Sequence, residues 1–164
     1  MKPVDYWVHQ LGLFPHPEGG FYKEVYRAVE KIPAGALSKQ FTAERSISTS
    51  IYYLLRSQDR SAFHRIKSDE IWHFYAGTTV LIYVLNDPGL SVLRLGADPE
   101  RGDSLQVVIR ANQWFGAVIE QSGSYALCGC TVAPGFDFAD FEMANREELL
   151  RTYAEHAEII HRLT

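Results

Sequence analysis

Residues 4–11 (Val-Asp-Tyr-Trp-Val-His-Gln-Leu) carry apolar groups at helical spacing, and Gly12 stands where a left-handed glycine closes a helix. A short opening helix is predicted. The following stretch, Phe14-Pro15-His16-Pro17-Glu18-Gly19-Gly20, excludes regular structure through its prolines and glycines while leaving a His and a Glu in a tightly shaped loop. From Phe21 onward the period changes to alternation. Short runs rich in β-branched and aromatic residues predict strands over 21–27, 47–55, 61–66, 70–75, 80–86, 91–95, 105–109, 114–119 and 125–132. Turn formers such as Asp87-Pro88-Gly89 and Arg101-Gly102-Asp103 separate them. So many closely spaced strands predict an all-β sandwich or barrel. Residues 30–45 lack a clear period and are read as a long loop covering one end of it.

The C-terminal end returns to a helical period. Asn145 followed by Glu148 resembles a capping box, and Leu149, Tyr153, Ala157 and Ile160 form one apolar stripe, predicting a helix packed on the barrel. No repeat, low-complexity tract or linker divides the chain, so residues 1–164 are expected to form one domain.

Composition narrows the class of function. With 164 residues, 46% of them hydrophobic, the chain can bury a core without a structural metal or disulfides, so any metal would serve function. Lys and Arg (16 against 20 acidic residues) are scattered without a run that forms a phosphate-binding stripe, and nucleic acid is not an expected partner. The longest apolar stretches, 51–55 and 80–85, fall far short of a membrane span, and no membrane partner is expected. The first residues lack the apolar core and cleavage site of a signal peptide, which predicts a cytoplasmic location. Cys128 and Cys130 lie two apart in a strand, about 7 Å from each other on one face, which predicts reduced, buried thiols.

The densest chemistry lies between Phe63 and Gly77. Two strands joined by a turn at 67–69 would bring His64 and Glu70 side by side, and an imidazole near a carboxylate is the minimum for proton transfer or metal binding. Strand parity puts Glu70, Trp72 and Phe74 on one face and Ile71, His73 and Tyr75 on the other. An ionisable Glu is rarely buried unpaired, so Glu70 is read as a pocket residue. Tyr53 and Trp72 are read as walls that stack on a ring or sugar face, and His16 and Glu18 as further ligand contacts. His156 and His161, five apart on the last helix, share no face and are read as solvated.

This cluster resembles the first motif of the cupin superfamily, small β-barrels in which Gly, His-x-His, Glu and Gly recur at set spacing. His64, Glu70 and Gly77 match the first His, the Glu and the closing Gly, whereas Gln58 stands at the opening Gly and Ile66 at the second metal-binding His. In the second motif Phe115 stands at the third His. Further wording, His16-Pro17-Glu18-Gly19-Gly20-Phe21-Tyr22, Ser50 to Leu55, Asp69 to His73, Gly123 to Leu127 and Gly129 to Phe136, is similar to a cupin-like branch of unassigned activity, cupin type 5, from the opening helix to Phe141. The resemblance implies a homodimeric jelly-roll barrel with a pocket similar to that of dTDP-4-dehydrorhamnose epimerases. Those enzymes use a pocket His as base and a Tyr as acid without a metal.

The expected protein is therefore a cupin-type β-barrel with a short helix at each end that binds a small polar or ring-bearing metabolite. In the favoured reading it is a metal-independent epimerase or isomerase with His64 as base, Glu70 orienting the imidazole and Tyr53 returning the proton. Trp72, Phe115, His16 and Glu18 would contact the ligand, and no cofactor is expected. Two alternatives stay open: a metal enzyme with a divalent ion on His64, Glu70 and His73, and a binding module without catalysis.

Overall fold

The computed structural model describes residues 2–86 and 89–164, so Asp87 and Pro88 of the turn expected after residue 86 lie outside the described residues. Helix α1 (Val4–Leu11) forms as the pattern requires: Asp5 sits in its first turn, and Gly12 closes it in the left-handed conformation (φ 61°). Thirteen strands follow among the described residues: β1 (Phe14–Pro15), β2 (Phe21–Arg27), β3 (Lys31–Ile32), β4 (Arg45–Ser46), β5 (Thr49–Arg56), β6 (Ser61–Arg65), β7 (Asp69–Gly77), β8 (Val80–Asn86), β9 (Gly89–Leu95), β10 (Gln106–Ile109), β11 (Trp114–Ile119), β12 (Tyr125–Ala133) and β13 (Glu142–Met143). They build a six-stranded sheet in the order β1-β2-β5-β12-β7-β10 and a five-stranded sheet in the order β13-β6-β11-β8-β9. This is the expected all-β jelly roll with short terminal helices.

The core lies between the two sheets. Tyr53, Leu55, Trp72, Ile82, Phe115, Ala117 and Cys128, all nearly inaccessible, are the inward residues of alternating strands from both sheets. Parity explains Glu70 as well. It shares the inward face of β7 with buried Trp72, while Tyr75 on the outer face is half exposed.

Three expectations are corrected. The segment read as a structureless loop contains the short β3-β4 pair, and its end is tied down by Arg45, whose buried guanidinium forms a bidentate ion pair with buried Asp140 at 2.6 and 2.7 Å. The single C-terminal helix is two, α2 (Arg146–Thr152) and α3 (Ala157–Leu163), because Tyr153 leaves helical geometry (φ −129°, ψ 51°) and a 3-10 turn intervenes. The break lets Leu149 of α2 and Ile160 and Leu163 of α3 reach one cluster with Phe63 of β6. Asn145 does cap α2, accepting from the Glu148 N–H. Finally, His161 is exposed as expected, but His156 is half buried and its Nε2 is sequestered without a hydrogen bond among the described residues. No helix among the described residues is long and apolar enough to cross a membrane.

Candidate functional site

A cavity of about 490 Å³ opens between the sheets at one end. Its floor carries Glu18, Tyr53, His64, Glu70 and Cys130; Tyr22, Glu24, Arg27 and the segment from Phe136 to Phe141 wall its mouth. The volume suits a small metabolite.

Glu18 arrives from the Pro-Gly loop. His16 and Gly20 bond across the loop (His16 N–H to Gly20 C=O, 3.0 Å), and Gly19 and Gly20 adopt φ of 116° and 72°. A Cβ on Gly19 would stand 2.0 Å from the Arg60 carbonyl oxygen, so only glycine lets the loop lie this close to the chain leading into β6. The Tyr53 hydroxyl donates to Gly19 C=O at 2.8 Å, and Ala62 N–H donates to Glu18 C=O at 3.1 Å. The loop is thereby fastened from both sheets, and the Glu18 carboxylate points inward.

There it meets His64. The imidazole Nε2 lies 3.0 Å from Glu18 Oε2, and Ser61 Oγ donates to Glu18 Oε1 at 3.1 Å. On the other side, His64 Nδ1 lies 2.7 Å from the Ala62 carbonyl oxygen. A carbonyl only accepts, so Nδ1 bears hydrogen; an ionised Glu18 also only accepts, so Nε2 bears hydrogen too. The electrostatics agree. Burial pulls the His64 imidazole down, but the Glu18 charge and hydrogen bond outweigh it and raise its pKa. Burial likewise pushes Glu18 up, and His64, with smaller help from His16 and Ser61, brings it below its ordinary value. The two form a buried imidazolium–carboxylate pair.

Glu70 is different. It is 8% exposed, faces the cavity from β7 and forms no salt bridge among the described residues; its polar neighbours are the Cys130 thiol and the Trp72 indole. Burial, opposed by the His64 charge and reinforced by that of Glu18, pushes its pKa up to about 7. Near neutral pH it holds or releases a proton with little cost, the condition for general acid–base work. The neighbouring Cys130 thiol is pushed far up, chiefly by burial, and stays protonated. Burial also raises the Tyr53 hydroxyl well above its ordinary range, followed by the Glu18 charge. In His16, burial lowers the imidazole more than Glu18 raises it, which favours the neutral ring.

The expected residues thus divide. His64, Glu70, Tyr53, His16 and Glu18 all reach the cavity. Trp72 and Phe115 lie one layer deeper: neither lines the cavity, and both are packed, Trp72 edge-on to Tyr53 and Phe115 against the His64 ring at 4.1 Å between centroids. They hold walls in place rather than form them. The carboxylate that orients His64 is Glu18, not Glu70. His73 lies on the outer face of the sheet, bonded to Thr131 and Gln106, so the set His64, Glu70 and His73 does not converge. The residues that sequence reasoning missed are the mouth wall of Phe136, Asp137, Phe138 and Phe141, with Glu24 and Arg27 opposite. The only sequence signal there was the clustering of phenylalanines after β12.

The fold raises the question of a metal, and the donor chemistry answers it poorly. Ile66 lines the cavity and Phe115 pairs with His64 across the strands, so two positions that would supply imidazoles supply hydrocarbon. Both nitrogens of His64 are engaged. Among the described residues no group of three or more His, Cys, Asp or Glu side chains is arranged to hold a metal ion. The residues present do not fit one.

Over nearly its whole length the chain is similar to two solved structures. A hypothetical protein from Leishmania major superposes with a TM-score of 0.89 at 30% identity, covering 99% of each chain. A protein from Shewanella oneidensis gives 0.88 at 35% identity, covering 100% of this chain and 98% of that one. Oxalate decarboxylase from Bacillus subtilis shares the fold alone, with a TM-score of 0.55 at 11% identity over 92% of this chain and 36% of that one. No curated protein matches the sequence. Residues 5–144 match the family model described as Cupin superfamily (DUF985), and the chain accordingly belongs to the cupin superfamily.

Proposed function

We propose that the cavity binds a small polar, ring-bearing metabolite and moves a proton on it next to a carbonyl, as an epimerase or isomerase does, without a metal. The observation that carries this reading is Glu70: a buried carboxyl, open to the cavity, outside any ion pair among the described residues, and poised to titrate near neutrality. Its carboxylate takes the proton from carbon, the C–H electron pair moves into the enolate, and the Glu70 carboxyl returns that proton on the same face to the neighbouring carbon, a one-base isomerisation that needs no second acid. The fixed imidazolium of His64 supplies positive charge where the enolate forms. Glu18 orients that imidazolium, so the base role first given to His64 passes to Glu70. Tyr53, its hydroxyl given to Gly19, holds the loop that carries Glu18.

Native mass spectrometry of the purified protein, with elemental analysis of the same sample, tests the reading. A retained organic molecule that gains carbon-bound deuterium in D2O with the wild-type chain, but not with Glu70→Gln, supports it. A molecule retained without exchange supports the binding module instead. One equivalent of divalent metal, lost in His64→Ala, would contradict the metal-free assignment.

A further inference from the structure

The charges around the cavity say what kind of molecule enters it. Four carboxylates line it, Glu18, Glu24, Glu70 and Asp137, against one guanidinium, Arg27, and two imidazoles, His16 and His64. Pairing removes most of these from play. Glu18 is matched by His64 at 3.0 Å. Arg27 is paired: its Nε and Nη2 donate to both Glu24 oxygens at 3.0 and 2.6 Å, and its Nη1 donates to the Phe136 carbonyl at 3.1 Å, three of its five N–H donors. Two carboxyls remain outside any ion pair among the described residues, Glu70 on the floor, within reach of the His64 charge, and Asp137 at the mouth, within reach of Arg27 and Arg45. Among the described residues no lysine lines the cavity, and its one arginine is already neutralised by Glu24.

The mouth is also aromatic. Phe136, Phe138 and Phe141 pack edge to face, with centroids 5.0 to 6.2 Å apart, and Phe138 is 55% exposed. Aromatic faces beside carboxylates that are in excess over cations attract organic cations, through the ring quadrupole and through direct charge, and the carboxylates repel anions. We propose that the ligand of this cavity is a small ring-bearing amine, bound as its ammonium form, and not a phosphate ester or carboxylate. This rests on the reading of the cavity as a small-molecule site and narrows it: the sugar-nucleotide class implied by the family resemblance carries a diphosphate, which the excess of carboxylates over cations in the lining disfavours.

Three probes of similar size test it: benzylammonium, benzyl alcohol and benzoate, titrated into the full chain at pH 7.5 and followed by NMR shifts of cavity residues. Benzylammonium should bind about tenfold more tightly than benzyl alcohol, and benzoate more weakly than either. Asp137→Asn keeps the side-chain oxygen that accepts from Ala139 N–H but removes the charge, and it should reduce the ammonium preference several-fold while leaving benzyl alcohol unchanged. Phe138→Leu, at an exposed rim position, should reduce it as well. If benzoate binds as tightly as benzylammonium, the ligand class is wrong and the cavity reading survives. If none of the three shifts cavity resonances, both are wrong.

Discussion

Replacing Glu70 by Gln substitutes a neutral isostere for a carboxyl whose ionised form the fold disfavours. In the unfolded chain Glu70 titrates near 4.5, and in the fold near 7. Because the folded state holds its proton more tightly, Glu70 contributes no penalty at acidic pH; as the pH rises from 4.5 through 7, stability is progressively lost. The difference corresponds to about 3 kcal/mol, fully developed above pH 8. Glu70→Gln should match the wild type near pH 4.5 and be the more stable protein at pH 8 by about that amount, which for a chain of this size is about 6–12 °C in Tm. His64, whose pKa is raised in the fold, also loses stabilisation as pH rises in both proteins, somewhat less in the variant because the Glu70 charge is part of what raises it. The difference between the two curves therefore reports Glu70 together with its coupling to His64. Thermal melts and urea titrations of both proteins between pH 4.5 and 8.5 measure it. Parallel curves, or a variant less stable at pH 8, would refute the account of Glu70 as a buried, unpaired acid.

Three further outcomes are expected. Glu18→Gln removes the largest influence that holds the His64 pKa up against burial, so imidazole NMR should show His64 titrating at lower pH than in the wild type. Asp140→Asn leaves the Arg45 guanidinium buried without its bidentate partner, and denaturant titration should show a loss of about 3 kcal/mol. Gly77, at φ 107° with its missing Cβ directed 2.1 Å from the Tyr125 carbonyl oxygen, should not tolerate Ala: about 1–3 kcal/mol is expected from backbone strain alone, read in the same titration.

How much of this was legible in the sequence follows from which signals are local. Alternation in β7 placed Glu70 and Trp72 inward and His73 outward, and the structure agrees, because parity is a property of one strand. Depth is not. Trp72 and Phe115 face inward as read, yet lie beneath the cavity, since parity tells which face a side chain takes and not how far other walls extend over it. The Glu18–His64 pair was hidden for a similar reason. It forms only because Gly19 and Gly20 fold the early loop against β6, a long-range contact that no spacing announces. The helix break at Tyr153 escaped because the apolar stripe runs through it; the shared cluster with Phe63 overrides the continuous pattern. The mouth wall after β12 has no period at all, and its course depends on the Arg45–Asp140 pair, whose members come from distant parts of the chain.

The central claim is that the cavity holds one carboxyl fixed as an ion and another poised to exchange a proton. Carbon-13 NMR of the glutamate carboxyls, titrated from pH 3.5 to 9 with Glu18→Gln and Glu70→Gln used to assign the signals, tests it most directly. Glu70 should titrate near 7 and Glu18 below its ordinary value of 4.5. A Glu70 signal that titrates near 4.5, or a Glu18 that remains protonated above it, would contradict the account.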